Sequence, residues 1–551
     1  MDGAPEVPGS PVPQRKAPSR QVSNIPEPQT KSGVFGACSN LVNSIVGAGI
    51  IGIPYAIRQA GCVMGILLLA LVAYFTDKSL RVIVELASFH PKLKDLGVLT
   101  YEDLMSIPYG RFGSLFVLVN MFILAYGAMV AYLLIVKDTV PIVLGIEGAD
   151  EDDFVAREIT MLITSLVTML PLSMMRDMAS LAFTSVLSVL ADVILVVFIV
   201  LYSPVPSSME NAGGFGEVLK DNWINGRLFI GLGVLSTAMA CQHSAFIVSG
   251  SLEDKTSKRW SIVTFRSLTT ATILCIMLGV TGYLGFLDET QGDILNNFDA
   301  DSIAANAGRG LLAITMLFTY PMESFVARHV LVQLLYNGNM DNTTVDEQGN
   351  VVPERKMVGF LGRRERITLL IYFSTLVPAL IVDDLGPVLS LTGSIGASCV
   401  AYIGPGLAYL GINGDAFLTY LNSKIQPQSA SPDDIELPVV GDADATMKET
   451  AHPGLASVSK PWWWWVCGFP VWRAIASTGA HGTNAFLTNF QTEVGEPFRN
   501  AASADGDEVI GPKPRDYYIS MVFITFGILA LVVGVASNIY VQVNDVFYTP
   551  T

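Results

Sequence analysis

The sequence predicts an all-α, polytopic membrane protein with eleven transmembrane helices. The first ten form two inverted five-helix repeats, and the eleventh stands at the C-terminal end. Three observations carry this. Of 551 residues, 51% are hydrophobic and only 15% charged, whereas a soluble domain holds about 25% charged residues. The apolar residues gather in runs of about 20, long enough to cross about 30 Å of hydrocarbon. Two of these runs, the first and the sixth, are interrupted at their centres by small and polar residues.

Residues 1–32 are Pro-rich and weakly hydrophobic, which predicts a disordered cytosolic tail. This tail has no apolar stretch of the kind a cleavable signal peptide carries, so the first span is expected to direct insertion. The spans fall at about 33–58, 62–86, 113–137, 158–174, 178–202, 227–250, 263–287, 308–335, 366–383, 386–410 and 517–543. The repeats cover about 33–202 and 227–410 within a ten-helix core at 33–411. Between the tenth and eleventh spans lies a loop, 412–516, that contains four consecutive tryptophans, Trp462 to Trp465. Trp favours the membrane interface, so this piece is expected to lie against the cytosolic face. A short tail, 544–551, ends the chain.

Orientation follows from the basic residues of the loops. With a cytosolic N-terminus, 20 Lys and Arg fall on inner segments and 6 on outer ones, and the remaining 7 lie in the 412–516 loop, which is also inner. Eleven spans then leave the C-terminus non-cytosolic. The sequon at Asn342 falls on an inner loop and is expected to be unmodified. The net charge of −16 gives no reason to expect nucleic acid as a partner. Cys38, Cys62, Cys241, Cys275, Cys399 and Cys467 show no CxxC or metal-ligand spacing, so neither a disulfide framework nor a resident metal is expected. No HExxH, GxSxG or P-loop motif occurs, which argues against an enzyme.

The two interruptions are the functional signal. The first span reads NSIVGAGIIGIPYAI, with Gly47, Ala48 and Gly49 at its weakest point; the sixth carries STAMACQHS, Ser236 to Ser244. Unwinding a helix inside a membrane frees backbone groups that cost several kcal/mol each if left bare. A ligand can satisfy them, and interrupted helices at matching positions of two inverted halves point to a secondary-transporter site. The amides that open the outer half-helix suit a carboxylate. The carbonyls that close the preceding half suit a cation, so a zwitterion such as an α-amino acid matches both. Thr315 and Thr319, four apart on one face of span eight, supply hydroxyls which, with carbonyls near Asn43 and Val46, could complete a sodium site. A proton is the competing ion, with His243 in the sixth-span break and Asp192 within span five as its candidate carriers. Glu323 and Arg328 read as a pair near the inner end of span eight, apart from the site.

These residues carry a resemblance. NSIVGAGIIGIPYAIRQAG, YFTDKSL, TYEDL, LPLSMMRDMASL, CQHSAFIVSGSLED, GYLGF, TQGDILNNF and TYPMESFVARHV resemble, in order and spacing over about 33–411, the sodium-coupled neutral amino acid transporters of the amino acid/auxin permease superfamily. The resemblance implies an APC/LeuT-like five-plus-five core with an eleventh helix, and symport of small neutral amino acids by alternating access, with sodium favoured over a proton. It places Gly47, Ala48 and Gly49 on the substrate carboxylate, Asn43 beside sodium, and Tyr126 over the substrate. The side-chain pocket falls to the break from Met239 to His243, including Cys241 and Gln242. The other readings are an amino-acid sensor on an endomembrane and a proton-coupled vacuolar exporter. The expected partners are a small amino acid and the lipid bilayer around a monomer, in the plasma membrane or a vacuolar or lysosomal membrane. No cofactor is expected beyond a co-transported sodium ion.

Overall fold

The computed structural model describes residues 32–425 and 513–548, apart from residues 48, 92, 147–153, 176–181, 337, 339–342, 346–350 and 354–361. The N-terminal tail, Ala48, the Asn342 sequon, the tryptophan run and most of the 412–516 loop therefore lie outside the described residues. Below, the side on which the first helix begins is called inner, following the orientation expected from the basic residues.

The first span is two helices, α1 (Val34–Ile45) and α2 (Ile53–Ala60), joined through a single 3-10 turn at Ile50–Gly52 and bent by 51°. Pro54 stands at the start of α2, where its missing N–H falls among donors that lack a helical partner anyway. Next come α3 (Cys62–Phe89) and the long α4 (Tyr101–Val143). The Thr100 hydroxyl caps α4 by accepting the Asp103 N–H at 3.2 Å. Gly110, at φ 59° and ψ −143°, turns the chain inside α4; only glycine takes that conformation without strain, so the membrane part starts near residue 111. Then follow α5 (Phe154–Thr164), a π-helical turn, α6 (Leu170–Ser173), α7 (Ala182–Tyr202) and two short connecting helices, α8 (Val205–Asn211) and α9 (Phe215–Asp221).

The sixth span is again two helices, α10 (Leu228–Met239) and α11 (Gln242–Ser251). After it come α12 (Ser257–Phe286), α13 (Ile303–Tyr336), a small antiparallel hairpin of β1 (Thr343–Val345) and β2 (Val351–Pro353), and α14 (Arg363–Ile381). The chain continues through α15 (Leu385–Thr392), a π-helical stretch at Gly393–Ile403, α16 (Gly404–Ile425) and α17 (Pro514–Tyr548). The helix of the tenth run thus continues to Ile425, past the expected boundary at 411.

Among the described residues, seven helices are long and apolar enough to cross a membrane, or up to nine if each of two bent pairs is one span. The expected count of eleven is not reached on this measure. Two expected spans fall short for stated reasons. The α14 helix opens with Arg363, Arg364, Glu365 and Arg366, leaving roughly 15 residues, or about 22 Å at 1.5 Å per residue. The α5–α6 segment is divided by the π-helical turn into helices of 11 and 4 residues.

The halves of the broken helices lie at the centre. Helix α1 packs on α7, α11 and α12, while α2 packs on α3, α10 and α12. Helix α10 also packs on α15 and the π-helical stretch, and α4 runs along α13. At the inner end the chain before α1 is tied to the chain after α11. The Ser32 N–H donates to Ser251 O at 2.8 Å, and the Glu253 N–H donates to Ser32 O at 3.0 Å.

Candidate functional site

The hydrogen-bond ladder of α1 stops where the Val46 N–H donates to Val42 O. Two isolated turns follow: Ile50 N–H donates to Gly47 O, and Gly52 N–H to Gly49 O, both at 3.2 Å. The Gly47 and Gly49 amides themselves have no backbone acceptor among the described residues. In the second break Ala240 is extended, at φ −79° and ψ 110°, and its N–H donates to Thr237 O at 3.3 Å, the last bond of α10. The orphaned Cys241 N–H is capped by Gln242 Oε1 at 3.1 Å, and Gln242 Nε2 donates to Ser79 Oγ at 2.8 Å.

The two breaks face one cavity of about 40 Å³, room for a few waters and too little for an amino acid. The first break lines it with Ser44, Ile45, Gly47 and Gly49; the second with Thr237, Ala240 and His243. Helix α4 contributes Leu124, Ala128 and Tyr132, at i, i+4 and i+8 on one helical face, and Glu323 of α13 and Leu389 of α15 complete it. A Cβ added to Gly47 would meet only the Tyr132 hydroxyl, at 3.2 Å. The Tyr132 phenol therefore stands over the Gly47 backbone. A Cβ on Gly49 would instead collide with the Ala238 backbone, so Gly49 also serves the close packing of α10 on the break.

The structure brings together part of the expected site. Gly47, Gly49 and His243 line the cavity. Tyr126 does not: its hydroxyl donates to Ser374 O at 2.6 Å, tying α4 to α14. It sits two positions from Ala128, about 200° around the helix, so it cannot share that face. Met239, Cys241 and Gln242 are fully buried around the break but do not line the cavity; Gln242 is engaged in capping. Asn43 and Val46 are buried in and just past α1, and Thr315 and Thr319 are buried in α13. Both threonine hydroxyls donate to the carbonyl four residues back, at 3.0 and 2.7 Å. None of these four lines the cavity, and neither does Asp192, which is 2% exposed on α7.

Sequence reasoning missed Tyr132 and Glu323 and mispaired the latter. Arg328 donates instead to Ser173 O at 2.8 Å and Thr368 Oγ1 at 2.9 Å, while Glu323 Oε1 faces His243 Nε2 at 3.5 Å. Helical periodicity from Leu124 and Ala128 pointed to Tyr132. The signal for Glu323 was a lone acid within an apolar helix.

Outward of the cavity the chain is sealed. The Tyr55 ring lies where a Cβ on Gly386 would be, 2.6 Å away, and Arg58 Nη1 donates to Thr290 O at 2.9 Å. A buried ionic network sits above. Lys137, fully buried, reaches Asp383 at 2.8 Å and Glu158 at 3.6 Å. Asp138 pairs with Arg157 and accepts from Asn296 at 3.0 Å. Lys137 and Arg157, two of the six basic residues counted on outer segments, are thus interior ones, and each is matched because an unpaired buried charge is prohibitive. In the connector between α12 and α13, Asp293 accepts the Leu295 N–H at 2.9 Å. Burial first, then the nearby Asp138 carboxylate, pushes the Asp293 carboxyl up to about 7 against the pull of that hydrogen bond and of Arg309.

Two broken helices meeting over a small cavity, sealed outward and lined inward by a glutamate facing an imidazole, define a class: a helical membrane carrier of small polar solutes. Comparison with known proteins makes this specific. Residues 30–426 match the family described as transmembrane amino acid transporter protein, and the chain belongs to that family. It is 32% identical over 378 residues to "Putative sodium-coupled neutral amino acid transporter 11" of Bos taurus, covering 68% of this chain and 75% of the relative. It is 30% identical over 384 residues to "Vacuolar amino acid transporter 2" of Saccharomyces cerevisiae, covering 69% and 76%. A solved chain of a Na+-coupled sialic acid symporter overlaps 70% of this chain and 79% of its own length, at 14% identity and a TM-score of 0.44, too slight a likeness to bear on fold or function.

Proposed function

We propose that this protein is a secondary active carrier of small neutral amino acids that works by ion-coupled symport and alternating access, through two inverted five-helix halves. The observation that carries it is the pair of amides, Gly47 and Gly49, which have no backbone acceptor among the described residues and belong to residues lining a cavity that the second helix break also lines. A carboxylate there would accept both amides and the Tyr132 hydroxyl lies within reach, so an α-amino acid has its polar end specified by backbone that every amino acid can use. The side chain would rest on Leu124, Ala128 and Leu389, small to medium apolar groups that suit a neutral residue. The outward seal and the small cavity describe a closed carrier that must open to load.

Sodium is the driving ion favoured by the names of the mammalian relatives and by Thr315 and Thr319. Their hydroxyl protons are given to helix carbonyls, which leaves their oxygen lone pairs free to coordinate a cation. The monomer is the working unit, with its N-terminus cytosolic, in the plasma membrane or a vacuolar or lysosomal membrane; of these, the vacuolar one appears in a relative's name. The test is uptake of radiolabelled alanine, glycine and glutamine by the purified protein in liposomes, under a sodium gradient and separately under a proton gradient. Accumulation above equilibrium under either supports the carrier; binding without uptake under both would show a sensor instead.

A further inference from the structure

We infer that Asn538 of α17 is a positioning residue for the amino-acid site. Through Ser390 it ties α17 to α15 and α10, so that these three helices form the outer lid of the cavity and shift together when it opens. This rests on the carrier reading and gives the eleventh helix a part in it.

Helix α15 carries two features of the closed site. Gly386 lies against the Tyr55 ring of the outward seal, and Leu389 lines the cavity. Ser390 comes next. Its hydroxyl donates to Ile230 O of α10 at 2.9 Å and accepts from Asn538 Nδ2 of α17 at 2.9 Å. One residue back, Leu389 O accepts the hydroxyl of Thr237, a cavity residue of α10, at 2.7 Å. Helix α15 is thus bonded to α10 at two points about two turns apart, and to α17 at the first of them. The α10 and α15 backbones also touch there: a Cβ on Gly233 would strike Ser390 O, and one on Gly393 would strike Gly233 O. Toward the other walls α15 is packed by side chains. A Cβ on Gly52 would meet Leu389 Cδ1 at 2.7 Å, and one on Gly127 of α4 would strike Thr392. Directed bonds are costly to break where no water replaces them, whereas packed side chains can part, so the lid leaves with α10 and α17.

Asn538 is buried, and from Phe526 to Ala536 the helix before it holds no polar side chain. A leucine would fill that place without needing partners. The amide instead has two N–H groups to satisfy: Nδ2 donates to Gly534 O of its own helix at 2.8 Å and to Ser390. Gly534 also lets α17 come close, since a Cβ there would strike Ser394 Oγ. Fastening α17 does not require this bond. At the inner end the Tyr517 hydroxyl donates to Asn413 O of α16 at 2.9 Å, and the Phe523 ring packs edge-on against Phe75 of α3. What Asn538 adds is direction. The bonds run one way, from the Asn538 N–H to the Ser390 hydroxyl to the Ile230 carbonyl, and each polarises the next. Without the amide, Ser390 is free to return its proton to a carbonyl of its own helix, the common alternative in membrane helices, and the hold on α10 loosens. A looser lid raises the share of molecules able to load, and apparent affinity rises with that share. It also slows the closing that each transport cycle needs.

The test pairs substrate binding by the purified full chain in detergent with uptake in liposomes, using whichever of alanine, glycine and glutamine is taken up fastest. Asn538→Leu keeps the volume and removes the amide. It is expected to tighten binding about threefold, the scale of one hydrogen bond between helices in a membrane protein, and to slow maximal uptake by a similar factor. Ser390→Ala removes the bonds on both sides of the relay and is expected to do at least as much. The double variant is expected to match Ser390→Ala alone, because the two residues act through one connection. Thr525→Val, which removes a hydroxyl that bonds back to Met521 O and Val522 O of α17, is expected to match wild type. Unchanged affinity in Asn538→Leu, with slower uptake or fewer binding-competent molecules, makes the amide merely structural and overturns the inference. Weaker binding overturns it too, as do single effects that multiply in the double variant. Should Asn538→Leu fail to fold, the smaller change Ser390→Ala gives the same reading through affinity. Binding without uptake in wild type, or no binding, removes the carrier itself and the lid with it.

Discussion

Gly47 and Gly49 stand two residues apart in one break, yet their surroundings differ. Gly49 faces the Ala238 backbone, while Gly47 faces the hydroxyl of one tyrosine side chain. Gly49→Ala must therefore displace α10 and is expected to lower stability by about 1–3 kcal/mol, the usual range for overpacking, read as thermal unfolding in detergent. Gly47→Ala is expected to unfold like wild type, whereas Gly47→Val fills the approach to the free amide and should abolish uptake. Equal unfolding of the Gly49 and Gly47 alanine variants would count against the packing assignment. The tyrosines separate likewise. Tyr132→Phe removes a hydroxyl from above the carboxylate position and should raise the substrate KM about tenfold, the scale of a hydrogen bond to a charged group. Tyr126→Phe removes only a tie to Ser374 and should leave KM unchanged. A reversed result would place the substrate on the opposite face of α4.

At the level of elements, the outer ends of α4, α5 and α14 are joined by Lys137, Glu158 and Asp383. Lys137→Met strands Glu158, whose side chain is 7% exposed, and breaking one partner of a buried pair costs about 3–5 kcal/mol. The double variant Lys137→Met/Glu158→Gln should recover part of that loss; no recovery would mean that the pair is not coupled. The α12–α13 connector has its own pH dependence through Asp293. Its carboxyl is raised from 3.8 to about 7 in the folded protein, so its contribution is fully present below pH 3.8 and lost as pH rises through 7. Wild type should lose on the order of 2 kcal/mol more than Asp293→Asn between pH 5 and pH 8. Parallel unfolding curves for the two across that range would refute the assignment. Since this connector lies against the outward seal, the same rise in pH should loosen the seal.

For the whole molecule, orientation is the expectation that can be read most directly. A protease-sensitive tag at the N-terminus should be cut only from the cytosolic side, and a tag at the C-terminus only from the other; cleavage of both from one side would require an even number of crossings. The sequence by itself determined that this is a helical membrane protein, because about 20-residue apolar runs admit no other economical structure in lipid. It also located both helix breaks, since clustered Gly and small polar residues weaken a helix wherever it packs. Among the described residues, seven to nine of the expected eleven spans qualify by length and apolarity, since α14 opens with a charged cluster and the α5–α6 segment is divided by a π-helical turn. The tertiary structure alone decided which side chains meet across elements. Tyr132 rather than Tyr126 faces the break because α4 presents one face to it, and Glu323 turns to His243 rather than Arg328 because α13 and α11 share the cavity. Helical spacing fixes partners within a helix, but contacts between residues 80 positions apart, such as His243 and Glu323, are set by packing, and that is where the chemistry of this site resides.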